Sequence, residues 1–152
     1  MPNIIRMRVF DRPGVLDRIT GLIRRHGVNI RTITCGNVSD GISEITMSLG
    51  GPMNLDFLGG RFSEMNSVRE WETCTEETHI LRELLLARFR DGQMHLLDDD
   101  MRVIKQDDGV VFAEYVGGPT EVERKLEQLR EAGVSCARGG TLGLALVEGG
   151  AS

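Results

Sequence analysis

Aromatic residues are scarce in this chain: one Trp, one Tyr and five Phe among 152 residues. A core must therefore be built from Ile, Leu, Val and Met. No apolar run approaches the roughly 20 residues of a membrane span, so no membrane partner is expected. Met1-Pro2-Asn3 leads into no apolar h-region, and a signal peptide is not expected. Cysteine is also sparse. Cys35, Cys74 and Cys136 are odd in number, widely spaced and free of any C-x-x-C pattern. They read as free thiols packed as small apolar residues in a reducing compartment, so the expected location is cytoplasmic. A basic excess is absent too. The net charge is −5, which gives no electrostatic case for nucleic acid.

Catalytic patterns are missing as well. The chain has no G-x-x-x-x-G-K-[ST], no G-x-G-x-x-G and no H-E-x-x-H. His26, His79 and His95 lack Cys or carboxylate at metal-ligand spacing, so they read as structural or solvent-facing. Asp98-Asp99-Asp100 lacks the spacing of a calcium loop and reads as a solvated loop. Cys35 near His26 has nothing to orient a base. No catalytic residue, no metal site and no cofactor in this chain are expected.

What is present is periodicity. The length allows one ordinary domain or two small ones. Ile4 to Phe10 alternates, with Ile5, Met7 and Val9 on one face and Arg6 and Arg8 on the other, which predicts a strand. Asp11-Arg12-Pro13-Gly14 ends it. Pro13 suits a first helical turn and Asp11 an N-terminal cap. Val15, Leu16, Ile19, Leu22 and Ile23 form one helix stripe, and Gly27 suits the residue past its end. Strands are predicted at Asn29 to Cys35 and Ser43 to Leu49, with Asp40-Gly41 as a hairpin signal. A second helix carries Leu55, Leu58, Phe62 and Met65, weakened at Gly59 and Gly60. Val68 to Cys74 closes a β-α-β-β-α-β order, the ferredoxin-like arrangement.

Thr75 to His79 is polar and marks a boundary. Ile80 to Phe89 reads as helix by propensity, or as a buried strand by its apolar centre. Met101 to Gln106 and Val110 to Val116 flank the hairpin signal Asp107-Asp108-Gly109. Pro119 opens a helix lined by Val122, Leu126 and Leu129, and Gly133 ends it. Strands at Val134 to Ala137 and Leu142 to Val147 precede a loose tail, Glu148 to Ser152. Leu22 to Val28 and Leu129 to Val134 both run helix, Gly-Val, strand, so the halves echo each other in architecture.

The stretch from Asp11 to Leu16 has a chemical use. The first N–H groups of a helix lack intrahelical partners and carry partial positive charge, which suits a carboxylate. Gly14 lets a ligand approach the backbone. Asp11 suits an ammonium, and the Asn29 amide suits either pole. Together they would read a zwitterion. Equally, Pro-Gly starts many helices that bind nothing.

Phe10-Asp11-Arg12-Pro13-Gly14-Val15-Leu16 with Gly27-Val28-Asn29-Ile30 resembles the amino-acid-binding ACT domain. The run from Pro13 to Ile23 resembles, more narrowly, the regulatory (small) subunit of acetolactate synthase. Leu81 to Leu86, Gly109 to Val116, Gly117-Gly118-Pro119 and Gly139 to Leu144 are similar to later pieces of that family, so the likeness covers about residues 3–147. The resemblance implies an α+β fold: a ferredoxin-like ACT domain over residues 1–76, then a second ferredoxin-like domain over 77–152. It resolves Leu84 to Phe89 as strand. It implies a non-catalytic regulatory subunit in branched-chain amino acid biosynthesis, homodimeric through the ACT domain. Such a subunit activates the large catalytic subunit and transmits feedback by valine or a related amino acid. Thiamine diphosphate, Mg and FAD are expected on that catalytic partner. The effector-binding positions carried over are Asp11, Arg12, Pro13, Gly14, Val15 and Leu16 of one protomer, facing Asn29 and Ile30 of the other.

Two departures stand out. The family commonly has Asn where this chain has Asp11, and a carboxylate there repels the effector's carboxylate. Gln93 to Asp100 leaves room for two helical turns at most where the family has a full helix, so the second domain is pared down. The alternative to the acetolactate synthase reading is a stand-alone ACT-domain sensor acting on another metabolic enzyme. A metal enzyme using Asp98 to Asp100 is a rival from another class. A transcriptional regulator would need a basic helix-turn-helix segment, which is missing.

Overall fold

The computed structural model describes residues 2–147; the tail expected at 148–152 lies outside that range. Two compact units are present. One comprises residues 2–80 together with 140–147, the other Leu81–Gly139. Within the first unit, Leu146 N–H donates to Thr78 O at 2.9 Å.

The first unit runs β1 (Asn3–Phe10), α1 (Val15–Arg25), β2 (Asn29–Ser39), β3 (Ile42–Gly50), α2 (Leu55–Ser63) and β4 (Val68–Cys74). Its sheet has the order β2-β3-β1-β4 with every neighbour antiparallel. This is the expected ferredoxin-like unit. Ile5 and Met7 lie opposite Met47 and Ile45. That face packs on Val15, Ile19, Leu22 and Ile23 of α1 and on Leu58 and Phe62 of α2. Each such side chain contributes roughly 1.5–3 kcal/mol by leaving water, so this aliphatic layer holds the unit together despite the few aromatics.

Both helix ends predicted at a Gly-Val pair adopt one geometry. Gly27 has φ 67° and its N–H donates to Arg24 O, while Val28 N–H donates to Ile23 O. Gly133 and Val134 repeat this with Arg130 O and Leu129 O. The echo between the halves is thus a shared helix-ending motif that satisfies orphan carbonyls.

Two local expectations need correction. Asp11 does not cap α1. Gly14 occupies the capping position in the left-handed region, at φ 85°, with no side-chain cap, and Pro13 lies outside the helix. The Pro-Gly turn carries the helix start three residues past where an Asp11 cap would put it. Gly59 is more than a weak helix former. A Cβ there would lie 2.0 Å from Trp71 Cη2. The glycine lets the Trp71 ring settle on α2, where Nε1–H donates to Ser63 Oγ at 2.8 Å.

β5 (His79–Phe89) begins in the last two residues of the first unit and runs on in the second, where it leads to a single 3-10 turn at Met94–Leu96, then β6 (Arg102–Asp107), β7 (Val110–Gly117), α3 (Pro119–Glu131) and β8 (Ser135–Arg138). β9 (Leu142–Ala145) follows in the closing segment. The sheet order β6-β7-β5-β8 repeats that of the first unit. The first helix is replaced by the 3-10 turn, as the shortened sequence predicts. Along β5 burial alternates, with Leu81, Glu83, Leu85, Ala87 and Phe89 inward, so period two overrides helix propensity. Asp108 and Gly109, at φ 47° and 77°, form the left-handed pair of a tight hairpin. The buried Glu83 carboxylate accepts from Arg138 Nε at 2.9 Å, and Arg138 also pairs with Glu123.

Candidate functional site

The Asp11–Leu16 turn projects from the end of β1. Asp11 N–H donates to Gly41 O at 2.9 Å, which ties the turn to the β2–β3 hairpin. Asp11 Oδ2 accepts from Asn37 Nδ2 at 3.1 Å. The Arg12 guanidinium stacks over the Phe10 ring, 4.9 Å from its centroid, rather than reaching over the helix end. A Cβ at Gly14 would meet nothing within 4 Å, so the helix N-terminus is open on that side. Arg12, Pro13 and Gly14 are exposed, Leu16 is 42% exposed, and Val15 is buried beneath them. The turn therefore presents an uncapped helix end, one carboxylate and one apolar side chain. That set suits the carboxylate, ammonium and side chain of a small amino acid.

Asn29 and Ile30 lie elsewhere in the same unit. Asn29 is opposite Gly50 in the β2–β3 ladder, whereas Ile42, at the other end of β3, is opposite Phe10. Eight residues of strand separate the two ends, about 26 Å at ~3.3 Å per residue. The eight predicted positions thus fall into two clusters: Asp11 to Leu16 at one end of the sheet, Asn29 and Ile30 at the other. Asn29 is exposed, and Ile30 packs partly against the core. A cleft of about 400 Å³ opens between α1 and α2, lined by Arg18, Gly21, Arg25 and Arg61 among others. None of the Asp11–Leu16 residues borders it.

The sheet face away from the helices carries a charged row. Arg6 Nη1 donates to Glu72 Oε1 and Nη2 to Glu44 Oε2, both at 2.8 Å. Arg8 lies 3.6 Å from Glu44 and 3.4 Å from Glu70. Burial raises the Glu72 pKa, but the His79 and Arg6 contacts outweigh this and hold it below its usual value. Cys74, beside them, is 3% exposed, and burial with the nearby Glu72 charge pushes its thiol up to about 12. His79 completes this group; sequence spacing alone set it aside as structural. The turn at Thr75 to Thr78 brings it back over the end of β4, and only an i, i+5 Cys-to-His pairing would have pointed to it.

Asp98 and Asp100, read from the sequence as a solvated loop, instead clamp Lys125 Nζ at 2.6 and 2.9 Å. Burial lowers the Lys125 pKa, but hydrogen bonds to both carboxylates more than offset it. The ammonium already occupies the place a cation would take there. No described helix is long and apolar enough to cross a membrane.

Residues 5–57, which contain both clusters, match the family described as AHAS small subunit-like ACT domain. Over 156 aligned residues the chain is 27% identical to the acetolactate synthase small subunit of Bacillus subtilis, covering 95% of this chain and 91% of that relative. It is 33% identical over 91 residues to the probable acetolactate synthase small subunit of Archaeoglobus fulgidus, covering 58% of this chain and 56% of that one. The crystal structure of the acetolactate synthase small subunit from Thermotoga maritima matches with a TM-score of 0.79 at 22% identity, covering 98% of this chain and 99% of that chain. At that identity the structural match speaks for the fold.

Proposed function

From the premise that this chain is related to acetolactate synthase small subunits and carries their type of ACT domain, we propose that it is a non-catalytic regulatory subunit of acetolactate synthase. In that role it binds the large catalytic subunit, raises its activity and carries the feedback site for valine or a related amino acid. Thiamine diphosphate, Mg and FAD belong to the catalytic partner in this reading. The observation that carries it is the kinship with the Bacillus subtilis small subunit across 95% of this chain and 91% of the relative.

The effector site in this reading is shared between two protomers. β2 is an edge strand of its sheet, the kind of strand that can pair with a second copy. Antiparallel pairing of two β2 edges about a two-fold axis would carry Asn29 of one protomer toward the partner's Asp11–Leu16 turn. The separation of the two clusters within one chain supports that arrangement, because one chain alone cannot bring them together. The effector carboxylate then sits at the α1 N-terminus, close to the Asp11 carboxylate, and the Asn29 amide oxygen accepts from its ammonium. The domain division at 76/77 belongs to the same proposal, as a split between a sensing and a docking half.

Reconstitution tests the role. The purified chain should co-elute with an acetolactate synthase catalytic subunit and raise its turnover. A catalytic subunit that neither binds the chain nor gains activity from it overturns the reading. A different metabolic enzyme captured in its place would favour the stand-alone sensor.

A further inference from the structure

We propose that Glu72, Cys74 and His79 form a binding site for a zinc-class divalent cation within the first unit. The three side chains each offer one ligand atom, and those atoms lie within 4.8 Å of one another. Cys74 and His79 are 3% and 4% exposed, while the Glu72 side chain is 43% exposed and opens the group to solvent on one side. A buried thiol, a buried imidazole and a carboxylate are ligand types that together select zinc over magnesium or calcium, which take oxygen ligands.

The hydrogen bonds around His79 orient it for this task. Its Nδ1 lies 2.8 Å from Thr78 Oγ1. The Thr78 hydroxyl can donate to Thr75 O, at 3.3 Å, so its oxygen is available to accept the imidazole N–H. On that tautomer the Nε2 lone pair faces Glu72, with a hydroxyl fixing the ring from behind, the usual support of a metal-bound histidine. Nε2 lies 3.1 Å from Glu72 Oε1, and an Nε2–H donates there when the imidazole carries that proton; without it, two acceptors face each other. Two acceptors facing each other at that distance are satisfied by a cation held between them.

Charge and geometry allow the ion. Arg6, Arg8, Glu44, Glu70 and Glu72 form the surrounding ion-pair row, with one net negative charge. A dication bound to one thiolate brings that row to neutrality. Arg6 donates to one lone pair of Glu72 Oε1, which leaves the other lone pair of that oxygen, facing His79, for the metal. Tetrahedral zinc places its ligand atoms roughly 3.3–3.8 Å apart, so the three side chains close inward by about 1 Å. On binding, the Cys74 S–H bond breaks, its proton passes to solvent and a zinc–thiolate bond forms. Solvent on the Glu72 side supplies the fourth position. The ion would tie the end of β4 to the first residue of β5 across the Thr75–Thr78 turn.

The test uses the full chain with Cys35→Ser and Cys136→Ser, so that Cys74 is the remaining thiol. Titration with Co²⁺ should saturate at one ion per chain with a thiolate-to-cobalt charge-transfer band, and Zn²⁺ should displace it. Cys74→Ser should abolish the band, and His79→Gln should weaken Zn²⁺ binding at least tenfold. As a readout that needs no further substitution at the site, saturating Zn²⁺ should slow alkylation of Cys74 at least tenfold. No charge-transfer band, or Zn²⁺ binding that changes less than twofold in both variants, or alkylation unaffected by Zn²⁺, overturns the proposal.

Discussion

Asp11 and Asn29, the two polar residues of the candidate effector site, stand at opposite ends of one sheet, with the length of β3 between them. Only the Asp11 end carries an uncapped helix N-terminus, and there the carboxylate is already bonded to Asn37 Nδ2. Asp11→Asn keeps an acceptor for the Asn37 amide while removing a negative charge near the expected position of the effector carboxylate. One unit charge at about 4 Å in water is worth about 1 kcal/mol. Valine binding, measured by calorimetric titration, should therefore strengthen about fivefold in Asp11→Asn. Equal affinities in the two proteins would refute the repulsion.

Gly59 and Gly60 are neighbours on α2 with opposite expectations. Nothing lies within 4 Å of a Cβ at Gly60, so Gly60→Ala should stabilise the unit by up to about 1 kcal/mol through helix propensity. Gly59→Ala drives a methyl into the Trp71 ring. Overpacking of this kind costs about 1–3 kcal/mol, so it should lower the Tm and shift the emission of the single Trp. Thermal melts of the two variants with Trp fluorescence check both signs.

The Glu72 carboxyl is held below its ordinary pKa in the fold. The unfolded chain therefore takes up its proton first as pH falls. The stability from this group is present above about pH 4.5 and is lost as pH drops through the lower folded value. Glu72→Gln should flatten the acid limb of the stability curve below pH 4.5, read from urea midpoints. A limb as steep as the parent's would show that other carboxylates set it.

Arg138 holds the fully buried Glu83 carboxylate in the second unit. Removing one partner of such a pair costs about 3–5 kcal/mol, while replacing both with apolar residues costs much less. Arg138→Met should therefore lower the urea midpoint sharply, and Glu83→Leu with Arg138→Met should recover most of the loss. Additive losses would place the cost in packing rather than charge.

Much of this was legible in the chain. The alternation of Ile5, Met7 and Val9 and the stripe of Val15, Ile19, Leu22 and Ile23 each follow one period, and each became a buried face. The Gly27 and Gly133 helix ends were readable because left-handed backbone favours glycine. Other features were hidden by locality. Asp11 looked like a cap because capping is judged over three or four residues, while the turn was set by where Gly14 had to sit. Gly59 looked like a weakness because its partner, Trp71, comes from another element. Ile80 to Phe89 reads as helix by propensity or as buried strand by its apolar centre; the family resemblance favours strand, and pairing with β7 and β8 makes it one.

By itself, then, the sequence determined the order of elements, the two apolar faces of the first unit and the helix-start turn at Asp11 to Leu16. Each of these depends on residues close along the chain, where side-chain period and turn chemistry act directly. Tertiary structure alone decided which distant side chains meet: Asp98 and Asp100 on Lys125, Glu83 on Arg138, His79 beside Cys74 and Glu72. It also set Asp11 and Asn29 apart. Those relations depend on strand register and order, which follow from burying both sheets at once and are written in no single stretch of the chain.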